Sequence, residues 1–332
     1  MKLVTAVLVT WMALIPVSGV SAQTIAIEKT GEIPLDLGDE IVGRIVDVTI
    51  DDTGRFFLAD EQQHTIWFVE RNGKLIRRIG QEGSGPDDLM NPSGTAFMNG
   101  TVFVLDAGNA RISVFAEEGG ILHNFRIDGR AGGIVSDGNR YVAMKNPGDA
   151  TLVTVYEIDG NEKAKWGDHS GDNWGLPLGR RYITTAPGGQ VLTSNPMRYS
   201  VLRMDWNGNV LSRYHANPPG FGVFEKPPGN NIMIDLPEVL KTWTPMYRPL
   251  AVSGYVLAQW GKISIPDRSR FTTRYFGDLF TMDGEPVQLA IELPMQFYAA
   301  DGDLLYGIDT APVDEGADNP YIVVFRLTEE MD

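Results

Sequence analysis

The sequence contains six repeated segments, and in each of them the second predicted strand ends in a polar residue. Most of these residues are Asp, Asn or Gln, whose oxygens can bind a hard cation. In chain order the terminal residues are Asp60, Asp106, Asn146 (with Lys145 beside it), Asn195, Gln259 and Asp309. Carboxylate and amide oxygens are ligands for Ca²⁺, so this set would form a calcium site if its members pointed inward at one place. Asp and Asn in such positions also cap the following loop by accepting hydrogen bonds from its backbone amides. The spacing leaves both interpretations open.

A second group combines arginine with aromatic side chains. The segment Gly261–Phe276 carries Lys262, Arg268, Arg270 and Arg274 against Asp267, a local charge of +3 in a chain of net charge −15. Arginine binds anions through two parallel hydrogen bonds, and aromatic rings stack on ligands. The pattern predicts a pocket for a small acidic or aromatic ligand or a peptide, although the arginines could instead neutralise nearby acids. The candidate ligand-binding residues are Arg268, Arg270, Arg274, Trp174, Arg181 and Trp243.

Motifs for several other chemistries are missing from the sequence. The four histidines, His64, His123, His169 and His215, have none of the short spacings of zinc ligands. There is no GxSxG, P-loop or GxGxxG pattern, and no pair of acids stands out as a glycosidase pair. We therefore predict no catalytic residue.

The elements that must position these residues are short apolar runs separated by Asp-Gly, Asn-Gly and Gly-Gly turns, which is typical of an all-β chain. The runs recur at a period of a few tens of residues, which indicates a repeat architecture. Each unit has up to four strands, A to D, joined as A–B and C–D hairpins. The approximate units are 45–80, 93–127, 132–167, 181–215, 247–293 and 295–328.

Such units predict a six-bladed β-propeller of four-stranded antiparallel blades within residues 23–332. One four-stranded sheet exposes two apolar faces, and neighbours on both sides cover them when the sheets form a ring. The sixth unit lacks a fourth strand, whereas Thr24–Leu35 alternates like a strand and has no sheet of its own. We therefore expect this N-terminal strand to close the ring as the outer strand of the last blade.

The passage Gly80–Phe115 resembles an NHL repeat. The similarity rests on Gly83-Ser84-Gly85-Pro86, on Pro92 before strand A, on Asp106 ending strand B, and on Asn109-Ala110-Arg111-Ile112-Ser113-Val114-Phe115. It is partial in the first unit, where Thr65 replaces the arginine, and it is confined to strand rhythm in the later units. The chain as a whole looks like exported bacterial six-bladed propellers with NHL-like repeats. The resemblance implies the fold, whereas such propellers serve both as binding proteins and as enzymes.

Loop lengths predict which side of the ring is functional. B–C and D–A connections lie on one side, which we name the long-connection face, and A–B and C–D turns lie on the other, the short-turn face. The long connections all belong to the first side: Gln81–Asn91, Asp168–Arg180, Ala216–Met246, Gly261–Thr273 and Thr310–Pro320. Long loops that serve no purpose are uncommon, so we expect binding there. Alternatively, they only cover the channel.

The chain ends and the composition bear on location. Residues 1–22 have one charge, Lys2, an apolar run, and small side chains at Val20 and Ala22, which is typical of a signal peptide cleaved before Gln23. The chain has no cysteine, and 43 acids against 28 Lys and Arg exclude nucleic acid as a plausible partner. We expect a periplasmic or secreted monomer without a membrane span after cleavage.

Three functions are compatible with these features. The first is a non-enzymatic module that binds a small acidic or aromatic ligand, a peptide or an envelope protein on the long-connection face. The alternative is a metal-dependent hydrolase or lyase similar to the lactonases and arylesterases, with Ca²⁺ at the channel mouth. The third is a structural scaffold in an envelope assembly.

Overall fold

The apolar runs form strands, and the strands form six four-stranded antiparallel sheets. The computed structural model describes residues 24–127, 131–145, 151–168, 182–195, 197–224, 238–267 and 270–330. Within these ranges, the first five sheets each follow chain order, as the turn chemistry predicts. The sixth sheet takes its outer strand from the N-terminal end of the described chain.

The strand bounds are as follows. The N-terminal strand is β1 (Thr24–Pro34). The first sheet contains β2 (Ile45–Ile50), β3 (Phe56–Asp60), β4 (Thr65–Val69) and β5 (Leu75–Ile79), and the second contains β6 (Pro92–Met98), β7 (Thr101–Asp106), β8 (Arg111–Ala116) and β9 (Ile121–Arg126). The third contains β10 (Ile134–Ser136), β11 (Tyr141–Lys145), β12 (Thr151–Glu157) and β13 (Glu162–Asp168), and the fourth contains β14 (Ile183–Ala186), β15 (Gln190–Ser194), β16 (Val201–Met204) and β17 (Val210–Tyr214). The fifth contains β18 (Leu250–Val252), β19 (Tyr255–Asp267), β20 (Arg270–Thr281) and β21 (Pro286–Leu293), and the sixth contains β22 (Phe297–Asp301), β23 (Leu304–Asp309), β24 (Tyr321–Glu330) and β1.

The six sheets form a closed ring around their first strands. Each first strand contacts the first strands of both neighbouring sheets, and β22 of the last sheet contacts β2 of the first. The protein is therefore a six-bladed β-propeller, which confirms the predicted fold class. The short helix α1 (Ala311–Asp314) lies in the B–C connection of the sixth blade. Within the described residues, no helix is long and apolar enough to cross a membrane.

The core lies between the blades. Phe56 and Leu58 of β3 pack towards the sixth blade, whereas Phe57 and Ala59 of the same strand pack towards the second blade. Successive side chains of a strand point to opposite faces, so both faces of each sheet are covered. This explains why the middle strands are nearly continuous apolar runs and why no blade is stable without its neighbours.

The N-terminal strand closes the ring. β1 pairs antiparallel with β24 from Thr24↔Glu330 to Pro34↔Tyr321, with one bulge between Lys29 and Gly31. Ile25 packs in the cluster between the fifth and sixth blades and is 2% exposed. This confirms the predicted closure and covers the edge of β24, which would otherwise be open.

Glycines in the C–D turns let each blade approach the outer strand of the blade before it. Gly208 has a φ of +85°, and a Cβ built there would lie 2.4 Å from Cβ of Trp166 on β13. Gly160 meets Phe125 of β9 in the same way, at 2.4 Å. The Asp-Gly and Asn-Gly turns therefore set both the hairpin and the spacing between blades.

We expect Gly208→Ala to cost about 2–4 kcal/mol of unfolding free energy, because it combines an unfavourable φ with a collision against a neighbouring blade. Gly254→Ala is the matched control: its φ is +81°, and nothing lies within 4 Å of an added Cβ. That variant should lose only about 1–2 kcal/mol. Urea unfolding measures both, and equal losses would show that the inter-blade contact contributes nothing.

The structure corrects one expectation. The segment Gly261–Thr273 was predicted to be a long loop, but its described residues extend β19 and β20. The two strands pair in one register to Ser264↔Thr272 and, after a register shift, pair again at Asp267↔Arg270. Trp260 and Phe276 stack across the two strands with ring centroids 4.5 Å apart, and the hydroxyls of Ser264 and Thr272 are 2.6 Å apart. Cross-strand pairs of this kind stabilise an extended hairpin. The sequence of this segment is typical of a loop because it contains many charged residues.

Candidate functional site

The fifth-blade hairpin, by which we mean Gly261–Arg274, projects from the long-connection face. Seven residues of β19, from Gly261 to Asp267, follow Trp260, which is about 20 Å of strand. One row of side chains carries positive charge: Lys262 and Arg274 lie opposite each other, with Nζ and Cζ respectively 5.7 and 5.5 Å from the centroid of the Phe276 ring. The hairpin is therefore a projecting element that presents cations on an aromatic base.

A small separate core supports the other row of the hairpin. Ile263 packs against a buried cluster that includes Leu240 and Trp243 of the long fourth-to-fifth blade connection, and Trp243 is 1% exposed. The Trp243 ring meets that of Phe224 edge to face, with centroids 5.5 Å apart. These contacts bury apolar surface that takes no part in closing the ring, so the connection holds the base of the hairpin.

A buried carboxylate anchors the hairpin base to the fourth blade. Asp278 of β20 is 0% exposed. Its Oδ2 accepts hydrogen bonds from Tyr199 Oη at 2.7 Å and Trp260 Nε1 at 2.8 Å, and its Oδ1 accepts one from the Ala290 amide at 2.6 Å. Burial raises the pKa of this carboxyl, and the three donors only partly oppose the rise. Burial and the nearby Asp278 likewise raise the pKa of the Tyr199 hydroxyl.

The raised pKa predicts how stability depends on pH. A carboxyl whose pKa is higher in the folded than in the unfolded state contributes its full stabilisation below its ordinary value of 3.8 and loses it as pH rises through the raised pKa. We expect the unfolding free energy of the wild type to rise relative to that of Asp278→Asn as pH falls from about 7 towards about 4. Urea titrations of both proteins measure this difference. A constant difference across the range would contradict the assignment.

Three tyrosine rings lie together where the hairpin meets the ring of blades. The Tyr247 ring lies 5.4 Å from that of Tyr275 and 6.3 Å from that of Tyr182, between ring centroids. Burial raises the pKa of the Tyr247 and Tyr275 hydroxyls. A Cβ on Gly261 would lie 2.7 Å from Cε2 of Tyr247, so glycine at this position allows the ring to lie against the hairpin.

An ion pair crosses the channel next to these tyrosines. Arg248 Nη2 donates to Asp47 Oδ1 of β2, and Arg248 Nη1 donates to the Tyr298 carbonyl at 3.0 Å. The guanidinium Cζ also lies 5.6 Å from the Tyr182 ring centroid. Asp47 in turn accepts the Thr95 amide at 2.8 Å. Arg248, which precedes β18 of the fifth blade, thereby contacts the first, fourth and sixth blades. Asp47 extends the connection to the second blade through Thr95.

A cavity of about 360 Å³ occupies the channel beside this ion pair. All six first strands line it, and it extends to the A–B turns at Asp137, Gly138 and Gly189. The Thr49, Ser136 and Thr184 hydroxyls in its wall donate to carbonyls of Thr95, Phe97 and Pro249 on neighbouring blades, at 2.7–2.8 Å. The hydroxyls therefore join adjacent blades along the channel.

Asp60, the first member of the polar series at the ends of strand B, caps a loop. It is 0% exposed. Oδ1 accepts from the amides of Arg44, Gln62 and Gln63 at 2.9–3.1 Å. Oδ2 accepts from the Gly43 amide at 2.7 Å and from Trp67 Nε1 at 3.0 Å. Protein N–H groups therefore surround this carboxylate.

Asp106, the second member, organises the segment that resembles an NHL repeat. Its Oδ1 accepts the Met90 amide at 2.7 Å, and its Oδ2 accepts from Asn109 Nδ2 and Arg111 Nε, both at 2.8 Å. Arg111 Nη2 also donates to the carbonyls of Gly85 and Asp88, both at 2.7 Å. The Asp, Asn and Arg of the motif thus tie the Gly-Pro loop to strands B and C.

The other polar residues at the ends of strand B differ in how deeply they are buried. Gln259 is buried and bonds the backbone of Arg248 and Phe297. Asn195 accepts the Met197 amide and Asp309 the Ala311 amide, at 2.9 and 3.0 Å. Asn146 lies outside the described residues. Among the residues that the structure does describe, no three His, Asp or Glu side chains are grouped as a metal site.

The candidate ligand-binding residues are placed only in part. Arg274 is exposed and makes a two-pronged contact with Glu292, 2.9 Å from Nη2 to each carboxylate oxygen. Trp243 lies in the core below the hairpin. Arg270 begins β20. Arg268, Trp174 and Arg181 lie outside the described residues. The structure therefore places Arg274, Trp243 and the start of β20 around one hairpin.

Comparisons with known proteins support the fold. No protein-family model and no curated protein matches the chain. Among solved structures, a DUF4221 family member from Bacteroides vulgatus superposes with a TM-score of 0.65 at 11% identity, over 94% of this chain and all of that one (100%). A Bacteroides fragilis protein named for predicted export superposes with a TM-score of 0.66 at 10% identity, over 93% of this chain and 95% of that one. At such identities the likeness concerns the fold alone.

Proposed function

We propose that this protein is an exported binding module that takes an acidic partner on its long-connection face. The observation that carries the proposal is the fifth-blade hairpin, which is paired to Asp267↔Arg270 and has its own supporting core. Ring closure does not need it, since the first strands already contact one another around the axis. Ordering such a hairpin costs conformational entropy. Ordered segments that the fold itself does not need are typical of binding sites.

The charge of the hairpin indicates an acidic partner. The segment Gly261–Phe276 has four cations and one acid, whereas the whole chain has a net charge of −15. The hairpin extends about 20 Å from the ring, which exceeds the Debye length of about 8 Å at physiological ionic strength. The negative charge of the ring is therefore screened with distance along the hairpin. Lys262 and Arg274 lie at the hairpin base, where they meet a partner by direct contact.

Export is supported by the first 22 residues, whose pattern is that of a cleaved signal peptide, and by the fold shared with the Bacteroides fragilis protein named for predicted export. The proposed location is the periplasm or the exterior. The calcium-dependent enzyme has less support, because Asp60 and Asp106 direct their oxygens at protein donors.

Charge variants test the proposal with a fluorescein-labelled octapeptide of alternating Glu and Val. We expect Lys262→Glu with Arg274→Glu to weaken its binding about tenfold or more, which corresponds to about 1.4 kcal/mol. Glu292→Gln should tighten binding about two- to threefold, because it releases Arg274 from its ion pair. Fluorescence anisotropy measures both effects.

Two control variants change charge away from the hairpin. Arg213→Glu reverses one exposed arginine on β17 of the fourth blade, and Glu285→Gln neutralises one exposed acid in the C–D turn of the fifth blade. Neither should alter binding. If the peptide fails to bind the wild type, or if the controls weaken binding as much as the hairpin variants, the proposal is wrong.

A further inference from the structure

We infer that the partner binds as an added β-strand along the outer edge of β20, from Arg270 to Arg274. This inference rests on the proposed function and specifies how the hairpin holds its partner. It concerns the backbone of the hairpin, whereas the charge argument concerns its side chains.

The edge is open because the neighbouring strand ends early. β21 pairs with β20 only as far as Tyr275↔Leu293. Pro294 follows and has no N–H to continue the ladder. β20 itself continues in the direction of its N-terminus to Arg270, where it pairs with β19 alone. In the described part of the chain, the side of Arg270–Arg274 that faces away from β19 has no strand beside it.

An open edge of this length is a template for pairing. Its unpaired N–H and C=O groups repeat every second residue, as a partner strand requires. The protein covers the edge of β24 with β1. Thr272 and Arg274 are exposed, so a partner can reach this part of β20.

A groove next to the edge would receive side chains of the added strand. It has a volume of about 420 Å³ and lies between the hairpin base and the sixth blade. Ile27, Leu293 and Phe325 supply apolar wall, while Arg274 and Glu292 lie at its rim. The occupant that fits is an extended peptide in which acidic residues alternate with apolar ones: the acids meet the cations of the hairpin, and the apolar residues enter the groove.

Backbone N-methylation tests this mode of binding without changing charge. In an added strand, the amides of alternate residues point to the partner and the intervening amides point away. We compare the alternating Glu-Val octapeptide with two versions, N-methylated on its Glu residues or on its Val residues. We expect one version to bind the wild type at least about tenfold more weakly than the parent peptide and the other to bind within about twofold.

The outcomes separate the two proposals. If both methylated peptides bind like the parent, or both weaken equally, strand addition is wrong, while the acidic-partner function stands because the parent binds. If the parent peptide itself does not bind, the proposed function fails, and strand addition fails with it.

Discussion

Replacing Asp60 with alanine should remove about 3–5 kcal/mol of unfolding free energy. The carboxylate is fully buried and accepts five hydrogen bonds from protein N–H groups. Alanine leaves all five donors without their acceptor in a buried site. Asp60→Asn keeps one acceptor oxygen and should lose less, about 1–2 kcal/mol. Urea unfolding monitored by tryptophan fluorescence measures both.

The matched control is Asp309→Ala, at the corresponding strand end of the sixth blade. Asp309 accepts one backbone amide, that of Ala311, in an exposed setting, so its loss should stay below about 1 kcal/mol. The Asp60→Ala deficit should be the same in EDTA and in Ca²⁺, because N–H groups occupy both oxygens. A wild-type midpoint that rises with Ca²⁺, and a variant midpoint that does not, would instead favour the calcium interpretation.

Removing β1 should leave the sixth blade without its outer strand and make the closed ring unstable. A chain that begins after Pro34 loses the whole pairing with β24 and exposes that strand's edge. It also loses Ile25 from the buried cluster that contains Phe325 and Leu327. We expect this chain to aggregate or to unfold without cooperativity, whereas a chain that begins at Thr24 folds normally. Light scattering and thermal unfolding distinguish the two.

Complementation makes the test specific. A synthetic peptide of the β1 sequence, added in excess during refolding, should restore a cooperative transition, and a scrambled peptide of the same composition should not. A shortened chain that remains monomeric and cooperative without the peptide would contradict the role assigned to β1.

The ring of six blades could be predicted from the sequence, because short local patterns determine each of its hairpins. Glycine turns and alternating apolar runs define each hairpin. The repetition of such hairpins along the chain then predicts that they form the blades of one ring. The closing strand was predictable for the same reason: the sixth unit lacked a strand, and Thr24–Leu35 supplied one. Capping by Asp60 was one of two interpretations that the spacing allowed, and the five N–H donors around its carboxylate are the arrangement that capping requires.

The parts that escaped prediction depend on distant partners. Arg248 and Asp47 are 201 residues apart in the chain, and no local pattern connects them. Asp278 lies within an apolar strand, and its donors come from Tyr199, 79 residues away, and from Trp260 and Ala290. The fifth-blade hairpin is not predictable from local sequence, because charged residues such as Lys262 and Arg274 are typical of loops. In the structure their ammonium and guanidinium groups lie over the Phe276 ring.

Hydrogen exchange measured by mass spectrometry, with and without the alternating Glu-Val octapeptide at saturation, tests most directly where this protein binds. We expect slower exchange in Arg270–Arg274 and adjoining parts of the fifth-blade hairpin, and unchanged exchange in the A–B turns around Gly138 and Gly189 beside the channel cavity. Slower exchange in those turns instead, with the hairpin unaffected, would place recognition on the short-turn face and contradict the account.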